Sequence, residues 1–199
     1  MAKPQDSSTA VKVGGLGPGS STPDNVTRIL KDSLNLPLQL VTGYKGVADI
    51  RIAAESGELA GGCWGWDGTK RPWANQLESG EVVVLLQNWS SAHGDLPNVP
   101  LAINQAKSAE ARELIQIGIH EQSAILRPFV TTPGTPKERV ATLRKAFTDT
   151  MKDPEFRADA QKARLDIEPV SGQEIERIVH SLFKLDCAMI SKLKDVLYK

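Results

Sequence analysis

The sequence predicts an α/β fold built on a doubly wound parallel sheet. Two observations carry this prediction. Strand-like and helix-like segments alternate through the first half of the chain, which is typical of a parallel sheet with helices on both faces. Residues 82–87 open with five apolar residues in succession, three of them β-branched, and such a run suits a strand that is covered on both faces.

The first strand is predicted at residues 10–13 and ends at a pair of glycines. The helix that follows has a hydroxyl N-cap, supplied by Ser21 or Thr22. Pro23 suits its first position, and Asp24 is favourable at its positive end. Its apolar residues share one helical face: Val26, Ile29, Leu30 and Leu34.

The next elements complete the alternation. A second strand is predicted at residues 38–41, and a second helix at residues 47–56 stops at Gly57. A glycine-rich third strand is predicted at residues 59–66, ahead of the strand at 82–87. The order strand, helix, strand, helix, strand is that of a doubly wound unit.

The second half of the chain is predicted to be mostly helical, with a helix at residues 108–118 and one further strand at 123–131. Capping boxes begin at Thr135 and Ser171, and Asp153 caps a helix between them. The last capping box is expected to open a single long amphipathic helix. Its inward residues are Ile175, Ile178, Val179, Leu182, Met189, Ile190, Leu193 and Val196.

Charge and composition exclude several classes of partner. The 24 Lys and Arg residues balance 24 Asp and Glu residues, so no net field attracts the chain to nucleic acid or to an anionic membrane. No apolar run approaches the roughly 20 residues that span a bilayer. Residues 1–12 contain no apolar signal core, so the sequence as given is not addressed for export.

The glycine-rich stretch VKVGGLGPGSSTPDN joins the first strand to the first helix. A helix N-terminus presents unpaired N–H groups and a partial positive charge, and hydroxyl side chains add donors, so an anion is favoured there. Counted from Gly15, the dinucleotide pattern G-x-G-x-x-G fails at Ser20, and no P-loop is present. We therefore expect a small carboxylate, and no cofactor. The alternative is that Thr22 only caps the helix and that the glycines only form a tight turn.

Catalysis and metal binding are not favoured by the sequence. Cys63 and His120 could act as nucleophile and base, but the sequence fixes no partner for either, and no G-x-S-x-G turn occurs. No cluster of residues has metal-ligand spacing. Cys63 and Cys187 form either a lone disulfide or, as we expect, two separate thiols.

Four segments of the chain, spread over residues 11–175, resemble the substrate-binding receptors of tripartite tricarboxylate transporters, the Bug family. They are GLGPGSSTPDN, VTGYKGVADIRIAAESGELAGG, DLPNVPLA and RPFVTTPGTPKERVATLRKAFTDTMKDPEFRADAQKARLDIEPVSGQEI. The resemblance lies in the order and spacing of short motifs, among them Tyr44-Lys45-Gly46 and Leu96-Pro97-Asn98-Val99-Pro100.

The resemblance implies a periplasmic, non-catalytic receptor with a periplasmic-binding-protein-like (type II) fold. Such a receptor captures a small di- or tricarboxylate, or a related acid, between two lobes and delivers it to membrane subunits. Residues 1–10 would be a lead-in, residues 11–122 lobe two, and residues 123–199 the return strand and C-terminal helices that complete lobe one. The N-terminal part of lobe one is then lacking, and the C-terminal helices would pack on lobe two or form a homodimer.

The resemblance also implies a substrate-binding half-cleft made of Ser20, Ser21, Thr22, Tyr44, Lys45, Gly46 and Asp67. The hydroxyl residues would grip one ligand carboxylate through side-chain and backbone donors. Lys45 is alternatively a solvated turn residue. Three tryptophans, Trp64, Trp66 and Trp73, either wall the pocket or pack in the core. A third reading is a structural remnant that no longer binds ligand because the partner lobe is absent.

Overall fold

The computed structural model describes residues 10–17, 22–163 and 165–198. Over these residues the chain is a mixed α/β protein with a small parallel sheet and a largely helical second half. The predicted α/β class is therefore confirmed. No helix among the described residues has both the length and the apolar character that a membrane crossing requires.

The strands are β1 (Val11–Gly14), β2 (Leu38–Val41) and β3 (Gly61–Gly62). The helices, in chain order, are α1 (Thr22–Leu34), α2 (Val47–Glu55), α3 (Asp67–Lys70), α4 (Ala74–Ser79), α5 (Ala102–Gln105), α6 (Ala109–Ile115), α7 (Gln122–Ala124), α8 (Lys137–Lys152), α9 (Pro154–Lys162), α10 (Gly172–Leu182) and α11 (Cys187–Tyr198). A π-helical segment, Gln116–Glu121, continues α6.

The described residues form two compact units. The first contains those up to Glu121 together with those from Asp186 onward, and the second is Gln122–Leu185. The sheet and α11 therefore belong to the first unit, and α7 to α10 to the second. The assignment of residues 11–122 and 123–199 to two lobes of a receptor stays a prediction.

The sheet has the strand order β2-β1-β3, and all of its strands are parallel. Val13 of the central strand pairs with Leu40 on one side and with Gly61 on the other. The chain therefore moves outward from β1 to β2 and then returns past β1 to β3. This order is the start of a doubly wound sheet, and β2 has the predicted bounds.

The first unit has a well-packed interior. On one side of α1, Ile29 is fully buried, and α6, the π-helical segment and α11 pack against this helix. A Cβ placed on Gly118 would lie 2.6 Å from Cδ1 of Ile29, so the π-helical segment approaches α1 too closely for a larger residue. A second cluster, formed by Ile50, Ala53 and Leu59, packs α2 against the chain that leads into β3.

The predicted strand at residues 82–87 is wrong. Of these residues, only Gln87 forms a bridge, with Leu101, while Val83 and Leu85 are 49% and 76% exposed. The reason is tertiary, because a run of apolar residues becomes a strand only beside a partner. Of the predicted strand at residues 59–66, only the two glycines of β3 form a strand.

The predicted strand at residues 123–131 is also wrong. The short helix α7 occupies its start, and irregular chain follows, with Phe129 and Val130 exposed. The expected long C-terminal helix is interrupted after α10, because the Asp186 carboxylate accepts a hydrogen bond from Met189 N and begins a new helix.

Two of the three predicted caps in the second unit are confirmed. The side chains of Asp153 and Ser171 accept hydrogen bonds from Phe156 N (2.9 Å) and Glu174 N (3.1 Å). The capping box at Thr135 is not formed. Its hydroxyl donates to the Thr132 carbonyl instead, and α8 begins without a side-chain cap.

Candidate functional site

The candidate site lies at the carboxyl edge of the sheet. Because the strands are parallel, the chain leaves all of them at this edge, through residues 15–17 after β1, 42–46 after β2 and 63–66 after β3. We call these segments the carboxyl-edge loops. In doubly wound sheets ligands bind outside this edge, where the strand order switches, which here is between β1 and β3.

The carboxyl-edge loops are held together by packing and by one backbone hydrogen bond. Gly43 N donates to the Leu16 carbonyl at 3.2 Å. One residue from each loop packs on the cluster formed by Ile50, Ala53 and Leu59, namely Leu16, Tyr44 and Trp64. The structure therefore brings the glycine-rich loop beside the Tyr44–Gly46 loop, and the assignment of these loops to a ligand cleft stays a prediction.

The glycine-rich loop already binds a carboxylate, and that carboxylate belongs to the chain itself. Asp24 is fully buried, and its two oxygens accept hydrogen bonds from Leu16 N (2.7 Å) and Gly17 N (3.0 Å). A Cβ on Gly15 would lie 2.7 Å from Asp24 Oδ1, so glycine is required there by close approach. An external anion must therefore use other donors of this loop.

The predicted gripping residues are only partly described. Ser20 and Ser21 lie outside the described residues. Thr22 is the exposed first residue of α1, two residues before Asp24. Its position at the N-terminus of a 13-residue helix suits either a helix cap or a contact with an anion.

The second predicted loop presents one exposed cation. Tyr44 donates its hydroxyl hydrogen to Glu58 Oε1 at 2.6 Å, and this hydrogen bond raises the pKa of the Tyr44 phenol. Lys45 is exposed, and its backbone N–H donates to Asp49 Oδ2. Gly46 is the backbone N-cap of α2 with an extended φ of −171°, so its conformation is open to any residue. Within this loop, Lys45 is the side chain best suited to meet an anion.

Asp67 belongs to a different network. Its carboxylate lies 3.8 Å from Lys70 Nζ, and Lys70 is also paired at 3.3 Å with Asp95. Trp66 Nε1 donates to the same Asp95 carboxylate at 2.8 Å, and this bond is the main cause of the lowered pKa of Asp95. No hydrogen bond or ion pair is seen between Asp67 and the other predicted site residues that the structure describes.

Of the tryptophans, Trp73 is a core residue and Trp64 is half-buried against the core. Trp73 is buried, and its Nε1 donates to Glu55 Oε1 at 2.7 Å. Its ring lies 5.4 Å from the ring of Trp64, which packs against the cluster beside α2. The contact between the two rings therefore anchors the third carboxyl-edge loop, to which Trp64 belongs, on the interior of the first unit.

Cys63 and His120, the hypothetical nucleophile and base, have separate partners. Burial raises the pKa of the Cys63 thiol to about 12, and its sulfur accepts a long contact from Asn88 Nδ2 at 3.7 Å. His120 is buried in the π-helical segment, where Nδ1 lies 3.2 Å from Gln116 Oε1 and burial lowers the imidazole pKa. Cys63 and Cys187 are both free thiols.

Sequence reasoning missed the buried role of Asp24 and the pairing of Trp66 with Asp95. The first could have been found, because an acid in the first turn of a helix beside a glycine-rich loop is placed to accept amide hydrogen bonds. The second joins residues 29 positions apart, for which no local signal exists.

The chain matches no protein-family model, no curated protein sequence and no solved structure.

Proposed function

We propose that the chain is the solute-binding component of an uptake system for small organic acids, with a type II periplasmic-binding-protein-like lobe and no catalytic role. The observation that carries the proposal is the placement of the glycine-rich loop beside the loop of Lys45 at the carboxyl edge of the sheet, where Gly43 N donates a hydrogen bond to the Leu16 carbonyl. There the amides of Leu16 and Gly17 bind the carboxylate of Asp24 at the start of α1.

The geometry of the loop supports carboxylate capture in particular. Two successive backbone N–H groups and the glycine that admits a close approach lie in the turn at residues 15–17, against the Asp24 carboxylate in the first turn of α1. Such a turn suits a flat carboxylate, because each carboxylate oxygen accepts one N–H. Since Asp24 occupies these two amides, the ligand would need other donors, and the hydroxyl residues Ser20, Ser21 and Thr22 are the ones that the sequence offers.

The second loop supports a ligand with more than one acidic group. Lys45 follows β2 at the same edge, and the hydrogen bond from Gly43 to Leu16 fixes this loop beside the first one. One carboxylate at the hydroxyl residues and another near Lys45 would satisfy a di- or tricarboxylate. Asp67, in its own network with Lys70, has no part in this arrangement.

The partners that fit this proposal are those of the resembled receptors: a small carboxylate, membrane subunits of a tripartite transporter, and a periplasmic setting. Nucleic acid does not fit, because the formal net charge is zero. A single half-cleft supplies only part of the contacts of a closed two-lobe receptor, so we expect weak binding, on the order of millimolar.

The proposal is tested by measuring the melting temperature of the chain, and then heats of binding, with citrate, succinate, glutamate, nicotinate and terephthalate. A ligand present at about 100 times its dissociation constant stabilises the folded state by about 2.7 kcal/mol, which a thermal shift detects. The key variants are Ser20→Ala, Ser21→Ala and Thr22→Ala combined, and Lys45→Gln alone. We expect both to abolish the ligand-induced shift.

Matched controls separate binding from stability. Ser90→Ala with Ser91→Ala, and Lys107→Gln, alter the same residue types at exposed positions elsewhere. Each variant is compared with itself without ligand, because loss of a helix cap alone costs about 1 kcal/mol. A shift that survives in the triple variant would place the site elsewhere.

The structural-remnant reading is the second candidate, and Asp24 is the observation that favours it. The glycine-rich loop is already satisfied by a buried carboxylate of its own chain, as a loop with a purely structural role would be. This reading predicts no response to any of the five acids from a cooperatively folded chain.

The hydrolase alternative using Cys63 and His120 draws no support from the site geometry. Among the described residues, no hydrogen bond joins the two side chains, and a thiol with a pKa of about 12 is almost entirely protonated at neutral pH. A Cys63→Ala, His120→Ala double variant that loses a hydrolytic activity shown by the parent chain would restore this alternative.

A further inference from the structure

Between its first residue and Lys31, α1 is open along a single ridge of polar residues. The ridge consists of Thr22, Asn25, Arg28 and Lys31, and the spacing of three makes their side chains neighbours on the helix surface. Thr22 and Lys31 are exposed, Asn25 and Arg28 are half-buried, and the residues between them are all buried. We call these four residues the α1 ridge, and it carries two positive charges and no negative one.

Arg28 has no anionic partner among the residues that the structure describes. Its side chain forms no hydrogen bond or ion pair with any of them, although its Nε atom is buried. Asn25, the preceding residue of the α1 ridge, also has a buried atom without a partner, Oδ1. A buried polar atom that lacks a partner destabilises the folded state, and native proteins normally supply one. A ligand on the α1 ridge would remove this cost.

The two acids that helical geometry brings next to Arg28 are both bound elsewhere. Asp24 precedes it by four residues, and its two carboxylate oxygens accept hydrogen bonds from the glycine-rich loop. Asp32 follows it by four residues, and its carboxylate pairs with Lys192 Nζ at 2.9 Å. The guanidinium of Arg28 is therefore available to an anion from solution.

The α1 ridge begins at the proposed acid-binding site. Thr22 is one of the predicted gripping residues, and Arg28 lies about one helical turn beyond the carboxylate of Asp24 that the glycine-rich loop binds. Thr22 and Arg28 are six residues apart, which is a rise of about 9 Å, and helical side chains lean toward the N-terminus, so that Arg28 points back toward Thr22. The ridge therefore suits a ligand with an acid group at each of these two residues.

We propose that Arg28, with Asn25 beside it, binds a second acid group of a di- or tricarboxylate. The guanidinium presents two parallel N–H donors to a carboxylate, and the Asn25 amide can donate to the same group. Arg28 thereby joins Lys45 as a cation for the acid groups beyond the first. The inference rests on the proposed acid-binding function, and it makes Arg28 the residue that favours diacids over monoacids.

The test compares succinate and citrate with butyrate, a monoacid of the same carbon-chain length as succinate. Binding is followed by nuclear magnetic resonance titration of the full chain, which measures millimolar dissociation constants. Arg28→Gln should raise the dissociation constants of succinate and citrate about tenfold, as expected for one hydrogen-bonded charge, and should change that of butyrate less than about twofold. Arg51→Gln is the matched control, because Arg51 is also half-buried but pairs with Glu55 at 3.7 Å, and it should leave all three constants unchanged.

The unpaired charge gives a second readout that needs no ligand. Arg28→Met keeps an apolar stem and removes the charge, so it should raise the melting temperature of the ligand-free chain, whereas loss of a paired arginine would lower it. A lowered melting temperature would assign Arg28 to a structural ion pair and overturn the proposal. A parent chain that binds none of the three acids overturns the proposed function together with this inference. Binding of succinate that Arg28→Gln leaves unchanged overturns this inference alone.

Discussion

The two units of this chain contrast in how their helices are stabilised. In the first unit, α1 and α6 bury Ile29, Leu114 and Ile115 almost completely, and a second cluster packs α2 against the chain that leads into β3. In the second unit, α8 and α9 contain no buried residue among those described. The difference shows that helix-forming sequence alone does not make an independent domain, because apolar faces need a surface to cover them.

The largest expected effect separates two leucines, one in each unit. Leu114→Ala leaves a cavity in the interior of the first unit and should lower the free energy of unfolding by about 2–5 kcal/mol. Leu165→Ala, at a residue of the second unit that is 51% exposed, should cost less than about 1 kcal/mol. Urea unfolding followed by circular dichroism measures both. Equal costs would contradict the contrast between the units.

Replacing the buried carboxylate of the first unit should lower the free energy of unfolding more than replacing an exposed carboxylate of the second unit. Asp24→Asn keeps the shape of the side chain but removes the charge and one of the two acceptors, so one loop amide loses its partner. We expect a loss of about 1–3 kcal/mol in the free energy of unfolding. Asp159→Asn, in an exposed pair with Lys162, is the control and should change it by less than about 0.5 kcal/mol.

Within the second unit, helix caps take over part of the role that packing has in the first. Asp153→Ala removes the hydrogen bond to Phe156 N and should cost about 1 kcal/mol, with a matching loss of helical ellipticity. Thr135→Ala is the comparison, because the Thr135 hydroxyl bonds to Thr132 and caps no helix. If both variants lost the same ellipticity, the assignment of the cap to Asp153 would be wrong.

The sequence predicts those features of the fold that depend on neighbouring residues, and it fails for those that depend on residues far away in the chain. The strand β2 and the caps at Asp153 and Ser171 depend on neighbouring residues and were predicted correctly. The strand at residues 82–87 depends on a partner strand, and β3 is too short to provide one. Residues 82–87 have a high β-strand propensity, but tertiary context overrides this propensity and they form no strand.

The candidate site divides in the same way. Its position, at a glycine-rich turn between a strand and a helix, follows from local sequence, and the structure brings that turn beside the loop of Tyr44 and Lys45. The occupation of the loop by Asp24 and the separate network of Asp67 depend on which side chain folds back onto which amide. Tertiary packing determines these pairings, and the residues involved show no periodic sequence pattern from which the pairings could be predicted.

The smallest effect concerns two histidines and the pH dependence of stability. His120, buried in the first unit, has a pKa below its usual value because burial disfavours its charged form. The unfolded chain therefore binds a proton at this residue near pH 6.5, before the folded chain does, so this contribution to stability is complete above pH 6.5 and declines as the pH falls. His120→Gln should flatten the fall in melting temperature between pH 7 and pH 5. His180→Gln, at an exposed residue of α10, should leave the slope unchanged, and a flattened slope in that variant would contradict the contrast.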